Sequence, residues 1–242
     1  MRKLSFHFIV YRYEAILTII ILVLTGSIAV SSRDNQSPPP PEPPAPYKIA
    51  ITFDDGPRPH YTEQLLNILS SNNVRATFFV VGNQIKMFPG LLRLISGAGH
   101  EVEVHTLTHR NLTFLSVTDI RKELFDTAEL IRGISGQRSV YFRPPGGQYN
   151  AKVIKVAESL NMSMVLWTVF PKDHEEDDQN IIIKRVLAQA TDGGVILFHS
   201  GREPTYEALP VIIKDLRDRG YRFVTVSELA KESSLDKTAW LK

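Results

Sequence analysis

From Tyr47 onward, short apolar runs alternate with stretches whose apolar positions recur at helical spacing. The runs Lys48–Phe53, Ala76–Val81, Glu101–Val104, Val140–Phe142, Ser163–Val169, Val195–Phe198 and Arg222–Val226 are rich in Val, Ile and Phe and bounded by turn residues, the pattern of strands. Between them, Leu65, Leu66, Ile68 and Leu69 mark one helix. Ser116 and Asp119 stand at capping-box spacing before Ile120, Leu124, Ala128 and Ile131. Ile183, Val186, Leu187 and Ala190 form a further apolar face, closed by Gly193-Gly194. Ala208, Leu209, Ile212, Ile213 and Leu216 form another, ended by Gly220. Strands alternating with helices predict an α/β fold with a parallel sheet. No GxGxxG follows the first strand, so a distorted (β/α) barrel of about seven parallel strands is expected rather than a dinucleotide fold.

The segment before Tyr47 has a different pattern. Ala15–Val30 is apolar and uncharged and follows Arg2, Lys3 and Arg12, which predicts a hydrophobic helix. Residues 1–30 are expected to be either a cleaved signal peptide, with Ser27-Ile28-Ala29 before the cut, or a membrane anchor. Residues 31–46 contain seven prolines and are expected to form an extended linker. A domain over 47–231 and a tail over 232–242 complete the expected organisation, with the domain outside the cytoplasm.

Composition narrows the chemistry. There are no cysteines, which excludes disulfides, thiolate metal sites and cysteine nucleophiles. Net charge is +2, and three basic residues precede the first apolar run, so no nucleic-acid surface is expected. No protein partner is predicted, and the membrane is expected as a partner through the N-terminal segment.

The candidate chemistry sits just past strand ends. Asp54 and Asp55 follow the first strand in DDGP; His105 and His109 follow the third in HTLTH. Arg143 follows the fourth, Asp173 the fifth and His199 the sixth. In a β/α barrel these ends form one face, where active sites are built. Alone, DDGP reads as a turn and HxxxH as two surface histidines. Together, one carboxylate and two imidazoles are a ligand set for a catalytic divalent metal, and the second carboxylate is a candidate base. The four-residue spacing of the histidines predicts both rings on one side of a helical turn. Arg143 can hold a carboxylate in a fixed fork. His199 is a candidate general acid that Asp173 can orient, although Asp173 begins the acidic run DHEEDD, usually a solvated surface.

The motifs ITFDDGP, HTLTH, FRPPGG, the Asp173 segment and ILFH, in this order, resemble those of the polysaccharide deacetylase family (the NodB-homology domain, carbohydrate esterase family 4), as does VRATFFVVG. The likeness spans roughly 47–231. It implies a metal, most often zinc with cobalt or another divalent ion possible, held by Asp55, His105 and His109. It implies Asp54 as general base positioned by Arg143, His199 as general acid tuned by Asp173, and substrate contacts at Pro145, Gly146 and Leu197. The implied reaction is removal of N-acetyl groups from an amino-sugar polymer, with cell-wall peptidoglycan the leading substrate. Chitooligosaccharide or xylan deacetylation, non-catalytic carbohydrate binding on the same fold, and a metal-dependent phosphoesterase are the alternatives. Two positions depart from the family pattern: Gly146 replaces an aromatic residue, and His174 stands where the family usually has tryptophan.

Overall fold

A computed structural model describes residues 47–232. The hydrophobic segment, the proline-rich linker and nearly all of the tail lie outside the described residues. No helix among the described residues is long and apolar enough to cross a membrane.

Seven strands form one parallel sheet: β1 (Tyr47–Gly56), β2 (Thr77–Val80), β3 (Glu101–Val104), β4 (Tyr141–Phe142), β5 (Ser163–Met164), β6 (Gly194–His199) and β7 (Tyr221–Val224). The order is β5-β4-β3-β2-β1-β6, with β7 also paired to β1. β6 runs along β1 from Ile49 to Asp54. The other edge of β1 is shared, with β7 on residues 47–50 and β2 from Thr52 onward. Beyond β5 the chain crosses to β6, where Val169 bridges Ile196 and brings the two ends of the sheet together. The expected distorted barrel is therefore present. The run predicted as one strand over Ser163–Val169 is broken into β5 and this bridge.

Eight helices are described: α1 (Tyr61–Ser71), α2 (Gly82–Met87), α3 (Pro89–Gly97), α4 (Val117–Ser135), α5 (Ala151–Ser159), α6 (Gln179–Gln189), α7 (Glu203–Asp218) and α8 (Val226–Glu232). Two short 3₁₀ turns lie at Leu112–Phe114 and Pro145–Gly147. The cap predicted for α4 is present: Ser116 Oγ accepts from the Asp119 N–H and donates to Asp119 Oδ2. Gly136 ends α4 at φ 74°, the left-handed position that glycine adopts without steric cost.

The period of two along each strand sorts side chains between two interiors. Ile49, Ile51, Phe53, Phe78, Val80, Val102, Val104, Ile196 and Phe198 face the helices in the main core. Phe53 lies between Phe78 and Phe198, with ring centroids 5.3 and 5.8 Å apart. The alternate positions point into the barrel, where Ala50, Phe79, Val165, Val195 and Val224 pack with Val226 and Leu229 of α8. Burial on both faces explains why β1 and β6 read as continuous apolar runs. Continuing the inward alternation past each strand end gives Asp54 on β1, His105 after β3, Arg143 after β4 and His199 on β6. The fold thus delivers the chemical groups to one end of the barrel.

Candidate active site

Asp54 pairs with His199 in the β1–β6 register, and the two strands carry both residues to the mouth of a cleft of about 420 Å³. The cleft is lined by Asp54, Asp55, His105, His109, Gly146, Trp167, Phe170, His174, Leu197 and His199.

The two aspartates diverge because the β1–β2 ladder is irregular between Phe53 and Gly56 and Asp55 takes φ 72°. Asp54 is 3% exposed, and its Oδ1 accepts from Arg143 Nη1 at 2.7 Å. Asp55 Oδ1 lies 3.0 Å from His109 Nε2 and 3.5 Å from His105 Nε2. That oxygen is buried, yet neither approach has hydrogen-bond geometry. A carboxylate oxygen and two imidazole nitrogens converging without a bond among them are what a cation between them requires, so these three residues fit a divalent metal. Burial pushes the Asp55 carboxyl upward, but the two imidazoles outweigh it and hold it well below the usual carboxylate range.

The two histidines are not on a helical turn as their spacing predicted. His105 ends the β3 run, and an irregular loop with left-handed Thr106 (φ 65°) and His109 (φ 59°) returns the second ring to within 5.0 Å of the first. The loop backbone is held from outside. Glu123 of α4, 1% exposed, accepts from the Leu107 and Thr108 N–H groups and the Thr108 hydroxyl at 2.8, 2.8 and 2.6 Å. His105 Nδ1 donates to the Arg143 carbonyl at 2.8 Å, which fixes the tautomer and leaves Nε2 to face Asp55. Glu123→Ala is expected to leave the buried Leu107 N–H and the part-buried Thr108 N–H unpaired and to lower stability by about 1–3 kcal/mol for the buried group and less for the other. Urea unfolding followed by circular dichroism measures this.

Arg143 is fully buried. It reaches Thr52 Oγ1 at 2.7 Å, the Val165 and Leu166 carbonyls at 3.2 and 3.0 Å, and Asp54; its guanidinium carbon lies 4.1 Å from the centroid of Phe79. Burial pulls its pKa below the ordinary arginine value while Asp54 works against the shift. Thr52 is also inward-facing and donates to the Ile196 carbonyl at 2.6 Å, so Arg143 has a fixed seat.

Asp173 is the one member of DHEEDD that is fully buried. Its Oδ1 accepts from His199 Nδ1 at 2.8 Å, and its Oδ2 accepts from the His199 N–H at 2.8 Å and the Thr205 hydroxyl at 2.9 Å. This leaves His199 Nε2 facing the cleft. Burial lowers the His199 pKa, but the Asp173 bond and charge overcome it, so the net shift is upward.

Leu197 and Gly146 line the cleft; Pro145 is buried at the head of its 3₁₀ turn and is absent from the lining. Gly147, at φ 67°, lies against Trp167, where a Cβ would meet the indole at 2.8 Å. Sequence reasoning passed over Trp167, Phe170, Thr52 and Glu123. Glu123 had a legible signal: it falls three residues after Ile120 and beside Leu124, on the apolar face of α4. Trp167 and Phe170 had none, since they lie in irregular backbone after β5.

Comparison with known proteins shows the family and the fold. The family model described as polysaccharide deacetylase matches residues 42–165. The peptidoglycan-N-acetylmuramic acid deacetylase PdaC of Bacillus subtilis is 40% identical over 181 residues, covering 75% of this chain and 38% of that protein. This chain thus spans under two-fifths of that relative's length. A peptidoglycan-N-acetylglucosamine deacetylase of Bacillus cereus is 36% identical over 188 residues, covering 76% of this chain and 88% of that protein. The solved structure of B. subtilis PdaC superposes with a TM-score of 0.72 at 39% identity, covering 78% of this chain and 92% of that structure. Ordered motifs, curled parallel sheet and convergent Asp–His cleft together place this chain in the polysaccharide deacetylase family.

Proposed function

We propose that this chain is a metal-dependent hydrolase that removes N-acetyl groups from an amino-sugar polymer, with cell-wall peptidoglycan as its substrate. The observation that carries the reading is the convergence, in one cleft, of an Asp–His–His set, an arginine-held aspartate and an aspartate-held histidine. The activities of the B. subtilis and B. cereus relatives, both peptidoglycan deacetylases, support the substrate class.

A divalent ion bound by Asp55, His105 and His109, zinc in this reading and cobalt as a substitute, would polarise the acetyl carbonyl and acidify a water. Asp54 takes the proton from the attacking water. Arg143 aims Asp54, since its Nη1 donates to Asp54 Oδ1 at 2.7 Å from a fully buried seat. The Gly146 N–H is offered to the oxygen that gains charge. His199 delivers its proton to the departing amine, which leaves poorly as an anion, and Asp173 stabilises the charged imidazole until then. Leu197 and Trp167 wall the space for the acetyl methyl. The base and the acid stand on neighbouring strands at one register level, so proton removal and proton delivery flank one carbonyl carbon.

Residues 1–46 extend the proposal: an apolar segment and proline spacer suit export and tethering beside a wall glycan. Antibody or protease applied to intact protoplasts is expected to reach the domain; protection until the membrane is opened would contradict export. The substrate is tested by acetate release from peptidoglycan, chitooligosaccharides and acetylated xylan in parallel. Release chiefly from peptidoglycan is expected. Preference for xylan would replace amide with ester hydrolysis, and glycan binding without release from any of the three would favour a non-catalytic binding protein.

A further inference from the structure

We propose that His174 and His199 form a second, weaker divalent-cation site, and that its occupation shuts down the general acid. The inhibitory part rests on the reading of His199 given above; the binding part does not.

His174 directly follows Asp173, whose burial turns the chain inward at this point. Its ring stacks on Phe170 (centroids 5.6 Å apart, planes at 18°), and Phe170 leans on Trp167 at 5.4 Å. This aromatic row sets the His174 ring 4.8 Å from that of His199, at the wall of the cleft. A ring nitrogen of each histidine and a carboxylate oxygen of Asp173 lie within 4.8 Å of one another. The two rings make no hydrogen bond to each other. The polar partner of His174 is the carboxylate of its exposed neighbour Glu175, at 3.1 Å from Nε2. His199 has Nδ1 committed to Asp173 and Nε2 uncommitted. Two imidazoles offering nitrogens across a cleft, one backed by a buried carboxylate, are a common arrangement for zinc, copper or nickel.

The site must be the weaker of the two. Both Asp173 oxygens already accept hydrogen bonds, from three donors in all, so this carboxylate contributes charge more than an open lone pair. The Asp55–His105–His109 set contains a carboxylate oxygen with no such commitment. A cation in the first set would also repel one entering the second. Occupation of the second set takes the Nε2 lone pair of His199. The imidazole can then neither carry nor deliver a proton. The departure of this chain from the family pattern at His174 thus supplies a ligand that an indole cannot.

The test uses the full chain, stripped of metal and titrated with Co²⁺ by visible absorption and with Zn²⁺ by equilibrium dialysis. Two equivalents are expected, the second weaker. His174→Phe keeps the stack on Phe170 and should retain the first equivalent, with the second weakened by at least about tenfold, the scale seen when groups around a metal are removed. Zinc beyond the first equivalent should depress acetate release in the native chain, and the inhibitory concentration should rise by a similar factor in His174→Phe. A single equivalent in the native chain, or a second one undiminished in His174→Phe, overturns the site. Two equivalents, of which only the second depends on His174, without acetate release from any glycan would uphold the site and count against the deacetylase reading instead.

Discussion

Asp54→Asn is expected to cut acetate release by about 10²–10⁴-fold, the range a general base contributes, while the protein still binds its metal. The substitution keeps shape and one acceptor oxygen but removes the charge that takes the proton. Asp54 Oδ1 is committed to Arg143, and its Oδ2 stays 3.7 Å from His105 Nε2, farther than either Asp55 contact. Asp54 is therefore not placed as a ligand. Asp55→Asn should do the reverse and lose the metal, because its Oδ1 is the atom on which both imidazoles converge. Asp54→Asn should also unfold at lower urea, since it leaves a fully buried guanidinium without its counter-charge. Breaking one side of such a pair typically costs about 3–5 kcal/mol, and the carbonyls of Val165 and Leu166 offset only part of this. Metal content by mass spectrometry, read beside the rate, separates the two aspartates. Metal loss in Asp54→Asn with retention in Asp55→Asn would reverse the roles.

His199→Ala is expected to be comparably severe, on the order of 10²–10⁴-fold, because the amine then leaves without a proton. The companion variant Asp173→Asn is the sharper probe of how the acid works. Asp173 holds the His199 pKa above its ordinary value, so the protonated form persists to higher pH. Removing that bond and charge takes away the leading upward influences and leaves burial opposed only by the Asp54 and Asp55 charges, so the pKa should fall. The high-pH limb of the rate profile should then move to lower pH in Asp173→Asn, and a limb that stays in place would show that His199 does not set it. Circular dichroism should accompany the assay, since Asp173 also accepts from Thr205 of α7 and the His199 backbone.

Much of this site is legible along the chain because parallel strands carry polar residues at their C-terminal ends for a reason. Asp54, His105, Arg143 and His199 all continue the inward phase of a strand, so their convergence follows from the period of two. Asp173 was harder to read, because an acidic run gives no sign of which carboxylate turns inward. The answer lies in Thr205 and His199, dozens of residues away. The histidine spacing gave the pairing but the wrong local geometry: four residues suggested a helical turn, whereas Thr106 and His109 bend the loop through left-handed backbone. That backbone is held by Glu123, a long-range contact that local periodicity does not encode. Among the strands, β5 was read too long because five of the seven residues of Ser163–Val169 are apolar, although the chain leaves one partner for another partway through.

A cation held by Asp55, His105 and His109 is expected to be indispensable for deacetylation. The most direct measurement is acetate released from peptidoglycan by one preparation of the full chain, assayed as isolated, after stripping with a chelator, and after return of one equivalent of Zn²⁺ or Co²⁺. Release should vanish on stripping and return with the first equivalent, and it should not return in Asp55→Asn or His105→Ala. Undiminished release from a sample shown by elemental analysis to be metal-free would contradict the account.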